Sequence, residues 1–101
     1  MSNEHCWVYL LTTRNHKMFY TGFTNDLCRR IWEHKNNIYI GFTFRYSVKK
    51  LVYFEEFDDY DQALFREKQI KRYKRNWKQH LVDQFNPKWE DLYNAICGGS
   101  S

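Results

Sequence analysis

Two short segments of strand-forming residues, separated by five polar residues, constrain the fold of this chain more than any other feature. Residues 6–12 read Cys-Trp-Val-Tyr-Leu-Leu-Thr, and residues 18–22 read Met-Phe-Tyr-Thr-Gly. Apolar and aromatic runs of this length are typical of β-strands. The link between them contains Asn15, which tolerates a left-handed turn position, so the two strands are expected to close as an antiparallel hairpin.

One more strand and three helices are expected after the hairpin. Thr24 and Asn25 can cap a first helix that runs to about Asn36. Residues 50–57 contain Leu-Val-Tyr-Phe and predict a third strand in the sheet of the hairpin. The third strand is therefore expected to follow the first helix after a polar and aromatic loop.

The second and third helices are predicted from acidic, capping and breaking residues. Three aspartates at 58, 59 and 61 favour the start of a second helix that continues through about Arg75. Asn76 can cap a third helix, and Pro87 prevents its continuation. The fold class is thus α+β, a small three-stranded antiparallel sheet flanked by helices in the order β-β-α-β-α-α.

The length and composition predict one soluble domain. The chain has 101 residues, of which 20% are aromatic, so a single aromatic-rich core is expected. We expect an N-terminal extension at 1–6, the domain at 7–93 and a flexible tail at 94–101. The chain carries no signal-peptide core and no membrane-length apolar run, which predicts a cytoplasmic protein without membrane contact.

The three cysteines match neither a paired metal spacing nor a disulfide framework. Cys6, Cys28 and Cys97 are odd in number and far apart in the sequence. This pattern is typical of ordinary thiols in a reducing compartment. They are expected to have no chemical role.

The net charge of +4 is concentrated in one stretch of the chain. Such a run forms either the solvated face of a helix or an anion-binding surface. Its members are Arg66, Lys68, Lys71, Arg72, Lys74, Arg75 and Lys78.

Glu67 lies in an apolar stripe with Ala63, Leu64 and Ile70, where an unpaired carboxylate is costly to bury. A divalent metal would offset that cost. An ion pair with a nearby lysine or arginine would do so equally well, and is the more common outcome for a glutamate taken alone.

Four further polar residues lie close to predicted apolar positions. Arg30 and His34 are four residues apart and project from one side of the first helix. The structural alternative pairs Arg30 with an acid and His34 with a backbone carbonyl. Tyr9 and Tyr20 lie on the two hairpin strands, where most tyrosines only pack.

Taken together, these residues resemble the GIY-YIG nuclease superfamily. The resemblance rests on Val8-Tyr9-Leu10, on Tyr20-Thr21-Gly22, and on Arg30, His34, Glu67 and Asn86 in that order. The small stand-alone bacterial members of UPF0213 type are more similar still. Their signature segments resemble residues 41–43, 50–55, 66–71 and 86–89, and the resemblance covers residues 7–92. Val8, Leu10 and Thr21 are mild departures from the name-giving triplets.

The resemblance implies a metal-dependent DNA endonuclease, a phosphodiesterase with functions in DNA repair or recombination. Its site residues would be Tyr9, Tyr20, Arg30, His34, Glu67 and Asn86, with Gly22 in an adjoining loop. Glu67 would bind one Mg²⁺ or Mn²⁺, Arg30 would grip phosphate oxygens, and Asn86 would be a site scaffold. The group that accepts the proton of the attacking water is left open among Tyr9, Tyr20 and His34.

The basic stretch would then hold DNA by its phosphates with little base specificity. The DNA-binding residues would be Lys68, Lys71, Arg72, Lys74, Arg75 and Lys78. One site cuts one strand at a time, so we expect nicking by a monomer or weak dimer, with a possible protein partner for targeting.

Three other functions remain open. A domain of this fold can bind DNA or RNA without cutting it. RNA is a possible substrate or ligand if Phe44 and Tyr46 beside Arg45 stack on unpaired bases, although loop packing explains these rings as well. A protein-interaction domain with a basic face is the third possibility.

Overall fold

A three-stranded antiparallel sheet forms the centre of the molecule. The computed structural model describes residues 5–38 and 45–98. Strands β1 (Cys6–Thr12), β2 (Phe19–Thr24) and β3 (Lys50–Phe57) are ordered β2-β1-β3. The predicted hairpin and the predicted third strand are therefore confirmed, and so is the fold class.

Within the described residues, four helices with defined bounds flank the sheet. They are α1 (Leu27–Lys35), α2 (Tyr60–Arg72), α3 (Arg75–Phe85) and α4 (Tyr93–Cys97). The first three were predicted, and the fourth is additional. The predicted loop residues 41–43 and Phe44 lie outside the described ranges.

The helix starts differ in detail from the predicted caps. Asp26, rather than Thr24 or Asn25, caps α1, and its side chain accepts a hydrogen bond from the Arg29 amide. The Thr24 hydroxyl oxygen instead accepts from the Asp26 amide, 3.0 Å away. The helix α3 begins one residue before Asn76, which is not its cap. Tyr73 has an extended backbone, and this ends α2 at Arg72 rather than Arg75.

Alternate side chains of β1 enter two separate cores. Cys6, Val8 and Leu10 pack with side chains from α2 and α3 on one face. Tyr9 and Leu11 pack with residues of α1 on the other face. This period of two is the normal alternation of a strand buried on both sides.

The pairing of β1 with β3 contains an extra residue. Leu10 is opposite Tyr53 and Leu11 is opposite Leu51, so Val52 is the extra residue of a β-bulge. Val52 and Tyr53 both join the core that contains α2, while Leu51 joins the core that contains α1.

A buried hydroxyl on β2 lacks a hydrogen-bond partner. Thr21 is 4% exposed, and no described residue bonds its Oγ1. It occupies the position where the GIY-YIG triplet has isoleucine. Thr12 on β1, also buried, donates to the Met18 carbonyl oxygen over 2.7 Å.

The C-terminal segment is attached to the domain and corrects two expectations. Leu92 donates its amide hydrogen to the Leu51 carbonyl oxygen, and a disulfide joins Cys28 on α1 to Cys97 at the end of α4. The tail expected from 94 onwards is therefore helical through Cys97. The prediction of ordinary thiols is wrong for two of the three cysteines, because residues 69 positions apart meet only in the folded chain. Cys6 is buried and lies outside this disulfide.

The described helices are short. Over 5–38 and 45–98, none is long and apolar enough to cross a membrane. The longest, α2, has 13 residues. Apart from the helical residues 94–97, the domain boundaries stay predictions, as does the cytoplasmic location.

Candidate active site

Tyr9, Tyr20 and His34 form one aromatic cluster between the hairpin and α1. The Tyr9 hydroxyl and the His34 Nε2 are 3.1 Å apart and hydrogen-bonded. The Tyr20 ring lies 5.3 Å from the His34 ring and 6.3 Å from the Tyr9 ring, between centroids. Tyr9 is fully buried, His34 is 3% exposed and Tyr20 is half-buried. Three residues far apart in the sequence thus meet at one place.

Gly22 leaves the space that the Tyr9 ring occupies. The two residues are directly opposite each other in the β1–β2 pairing. A Cβ atom at position 22 would lie 2.3 Å from both the Cζ and the hydroxyl oxygen of Tyr9. Gly22 was expected in a loop, but it lies within β2. A pattern of residue types does not show which strand position faces a ring.

His34 is neutral at physiological pH. Burial and then the positive charge of Arg30 lower the pKa of its imidazole to about 4, and Glu33 opposes this shift. A neutral imidazole has one donor and one acceptor nitrogen. One partner of its Nε2 is the Tyr9 phenol.

Arg30 lies one helical turn before His34, with 32% of its side chain exposed. Its Nη1 donates to the Phe23 carbonyl oxygen over 3.5 Å, and its Nε is 3.6 Å from a carboxylate oxygen of Glu33. Glu33 also pairs with Arg29. The acid pairing considered as an alternative is therefore present, and it leaves the guanidinium close to solvent.

Glu67 lies on α2 and is paired with a lysine. Its side chain is 12% exposed, and its Oε2 lies 2.7 Å from the Nζ of Lys71, whose side chain is 55% exposed. This is the ion pair that the sequence left as the alternative to a metal. In the described residues, no group of three His, Cys, Asp or Glu side chains is placed to hold a metal ion. The donor set fits a hard divalent cation only if water and phosphate oxygens complete its shell, which is common for Mg²⁺.

Asn86 has a structural role that the sequence did not indicate. It is 6% exposed and follows α3 as its C-cap. Its Nδ2 donates to the carbonyl oxygens of Val52 and Glu90, and its Oδ1 accepts from the Glu90 amide. The side chain therefore closes the 86–90 turn and ties it to β3, in agreement with a scaffold.

Arg66 is half-buried and pairs with Glu55 of β3, unlike the exposed basic residues around it. Its Nε and Nη2 donate to the carboxylate of Glu55, and its Nη1 donates to Gln69 and Tyr73. Hydrogen bonding to Glu55 raises the pKa of Arg66. Tyr53 also donates to Glu55, and burial followed by this bond raises the pKa of the phenol. The run of basic residues gave no sign of this network.

The other basic residues of the run lie at the surface. Lys68, Lys71, Arg72, Lys74 and Arg75 are exposed, and Lys78 is half-buried. Burial and the charge of Lys71 lower the pKa of Lys78. The positive charges of the two helices therefore act on one another, which favours a bound anion.

Comparison with protein families decides the assignment of the chain. The model of the GIY-YIG catalytic domain matches residues 5–81. The chain belongs to the GIY-YIG family. This family membership identifies a nuclease-type domain, and the match includes every predicted site residue of this GIY-YIG domain except Asn86.

Individual relatives agree with this assignment. A UPF0213 protein of Clostridium perfringens is 38% identical over 90 residues, which cover 89% of this chain and 96% of the relative. A UPF0213 protein of Haloquadratum walsbyi is 37% identical over 82 residues, 81% of this chain and 91% of the relative. The solution NMR structure of a UPF0213 protein from Bacillus halodurans is 26% identical, with a TM-score of 0.56 over 93% of this chain and 99% of that one.

Proposed function

We propose that this GIY-YIG domain is a divalent-metal-dependent endonuclease that nicks DNA. The observation that carries the proposal is the cluster of Tyr9, His34 and Tyr20 with Arg30 one helical turn away. Hydrolysis of a phosphodiester requires stabilisation of negative charge, activation of a water molecule and departure of an alkoxide. The polar groups of the cluster suit the first two tasks.

Arg30 suits the task of stabilising charge on the phosphate. A guanidinium stays protonated at any physiological pH and can donate two parallel hydrogen bonds to phosphate oxygens. Its side chain retains exposed surface beside a buried cluster. Its ion pair with Glu33 is long, at 3.6 Å, so a phosphate can compete for the guanidinium.

Tyr9, Tyr20 and His34 are the candidates for handling the proton of the attacking water. His34 is neutral, so its Nε2 can accept a hydrogen bond from the Tyr9 phenol and orient that hydroxyl, while its lowered pKa makes it a weak acceptor of a full proton. Tyr20 is the more exposed of the two phenols. Comparison of nicking by Tyr9→Phe, Tyr20→Phe and His34→Gln over a range of pH assigns the step.

Glu67 is the carboxylate that we propose as a ligand for Mg²⁺ or Mn²⁺. When bound, the metal would neutralise charge on the phosphate and on the leaving oxygen. Lys71 holds one Glu67 oxygen, and because Lys71 is more than half exposed, its side chain can leave at small cost. Lys71 would then be free to contact the DNA backbone together with the other exposed basic residues.

The test is incubation of supercoiled plasmid with Mg²⁺, Mn²⁺ or a chelator. We expect nicking that needs the metal and is lost in Glu67→Gln and Arg30→Gln. The matched control is Asp61→Asn, which removes the same charge from an exposed position of the same helix. Nicking by Glu67→Gln at the parental rate would remove the metal role of Glu67.

A non-catalytic DNA- or RNA-binding module is the second candidate, and the Glu67–Lys71 pair favours it. The pair satisfies the carboxylate without any metal. This candidate predicts salt-sensitive binding of DNA with no nicking in any metal. For an RNA ligand, the guanidinium of Arg45 lies 5.9 Å from the Tyr46 ring centroid, and an exposed ring of this kind can stack on a base. Tighter binding of RNA than of DNA would support an RNA-binding module.

A further inference from the structure

A groove on the outer side of α2 combines aromatic and basic side chains. Phe65, Lys68, Gln69 and Arg72 recur at helical spacing along one stripe, and Tyr73 closes the end of the groove. Its volume is about 500 Å³. The stripe is opposite to the one that buries Ala63 and Ile70, so the groove opens to solvent.

The Phe65 ring at this groove is largely exposed. Phe65 is 70% exposed, and Trp77 at the start of α3, outside the lining of the groove, is 56% exposed. The centroid of the Tyr73 ring lies 5.9 Å from that of the Trp77 ring. Exposed phenylalanine and tryptophan rings on an otherwise charged surface are typical of a binding site rather than of a solvated helix face.

The groove has a fixed wall. Arg66 donates to the Gln69 Oε1 over 2.7 Å and to the Tyr73 hydroxyl over 3.3 Å. Arg66 is itself held by two hydrogen-bonding nitrogens on Glu55 of β3. Gln69 and Tyr73 are therefore ordered before any ligand binds, which reduces the entropy lost on binding.

We propose that this groove binds unpaired nucleotides, so that the substrate of this domain carries a single-stranded segment. The charges of Lys68 and Arg72 complement a phosphate backbone, and the face of Phe65 suits stacking by a base. The base faces of an intact duplex are stacked on each other and cannot reach Phe65. The inference rests on the proposed function only in taking nucleic acid as the ligand.

The test measures binding of a short oligothymidylate and of a DNA duplex of equal length in the presence of a chelator. We expect Phe65→Ala to weaken oligothymidylate binding about tenfold and to change duplex binding less than about twofold. Phe65→Trp should retain the affinity. The control Ile96→Ala, an exposed apolar residue of α4, should alter neither affinity.

Three results would overturn the inference. The first is an equal loss of affinity for both ligands in Phe65→Ala, and the second is no loss for either. The third is a change in self-association of Phe65→Ala on sedimentation, with oligonucleotide binding intact, which would assign the rings to a protein contact. Because Phe65 is largely exposed, its replacement should leave the fold intact, and thermal melting checks this.

The plasmid assay, repeated on a duplex that carries a single-stranded branch, separates this inference from the proposed function. Phe65-dependent binding of oligothymidylate without nicking in any metal would support the groove and contradict the nuclease. Metal-dependent nicking with no effect of Phe65→Ala on oligothymidylate binding would support the nuclease and contradict the groove as a site for unpaired nucleotides.

Discussion

The phenol ring of Tyr9 lies where the side chain of any residue other than glycine at position 22 would be. The directly paired strand positions bring Gly22 against the Tyr9 hydroxyl end, and that hydroxyl contacts His34. The identity of one residue on β2 thereby sets the position of a polar group on β1. This relationship leads to a simple prediction for stability and for the site.

Gly22→Ala should destabilise the fold by about 1–3 kcal/mol, because the added Cβ overlaps a fully buried ring. The Tyr9–His34 hydrogen bond should lengthen or break, with loss of nicking. Urea unfolding gives the stability change. The matched control is Gly98→Ala, where a Cβ would meet nothing within 4 Å. Equal stability of the two variants would contradict the described packing.

Acid should weaken the parent protein partly through His34. The pKa of the buried imidazole is about 4, below its ordinary value of 6.5, so between these values only the unfolded chain binds the proton. The contribution is present above pH 6.5 and is lost as pH falls to about 4, with a limiting size of about 3 kcal/mol.

The measurement for His34 is urea unfolding at several pH values, for the parent and for His34→Gln. The free energy of unfolding should fall more steeply with acid in the parent. Carboxylate ion pairs and His16, whose pKa is also lowered, contribute to both proteins and cancel in the difference. Parallel curves would show that the pKa of His34 is the same in the folded and unfolded chains, and would contradict the lowered value.

Reduction of the Cys28–Cys97 disulfide should destabilise the protein. The bond closes a loop across a sequence separation of 69, for which the chain-entropy model gives about 4 kcal/mol. Cys97→Ser should lower the melting temperature, and dithiothreitol should lower that of the parent alone. Thiol titration of the unfolded, unreduced parent should detect Cys6 only. Three reactive thiols in that sample would contradict the bond.

Thr21→Val should stabilise the fold by about 1 kcal/mol, because the buried hydroxyl of Thr21 has no described partner. Valine has nearly the same shape and brings no polar atom. Thr12→Val is the contrasting control, since the Thr12 hydroxyl donates to a backbone oxygen, and its loss should destabilise. Thermal melting of both variants should therefore shift in opposite directions.

The strands and the first three helices could be predicted from the sequence because their signals are local. Short apolar and aromatic runs, a polar link and Pro87 each act within a few residues. The α1 cap at Asp26 was missed because Thr24, Asn25 and Asp26 are all good capping residues. Only the path of the backbone selects among them.

The contacts between side chains within the site could not be predicted from local sequence signals. The resemblance brought Tyr9, Tyr20 and His34 together, but their mutual contacts require three elements to be placed in space. The disulfide was not predicted because Cys28 and Cys97 are distant in sequence. Arg66 looked like its basic neighbours, and only its contact with Glu55 distinguishes it.

The extra residue in β3 determines which side of the sheet receives a carboxylate. If β3 alternated regularly from Leu51 through Val52, without the bulge, Tyr53 and Glu55 would face α1. The bulge turns Tyr53 and Glu55 toward α2, where the Glu55 carboxylate accepts hydrogen bonds from Arg66. Deletion of Val52 would restore regular pairing but leave Tyr53 and Glu55 on the α2 side, because Tyr53 would then follow Leu51 directly. The bulge therefore lets Leu51 and Tyr53, two residues apart in the chain, pack in opposite cores of the sheet.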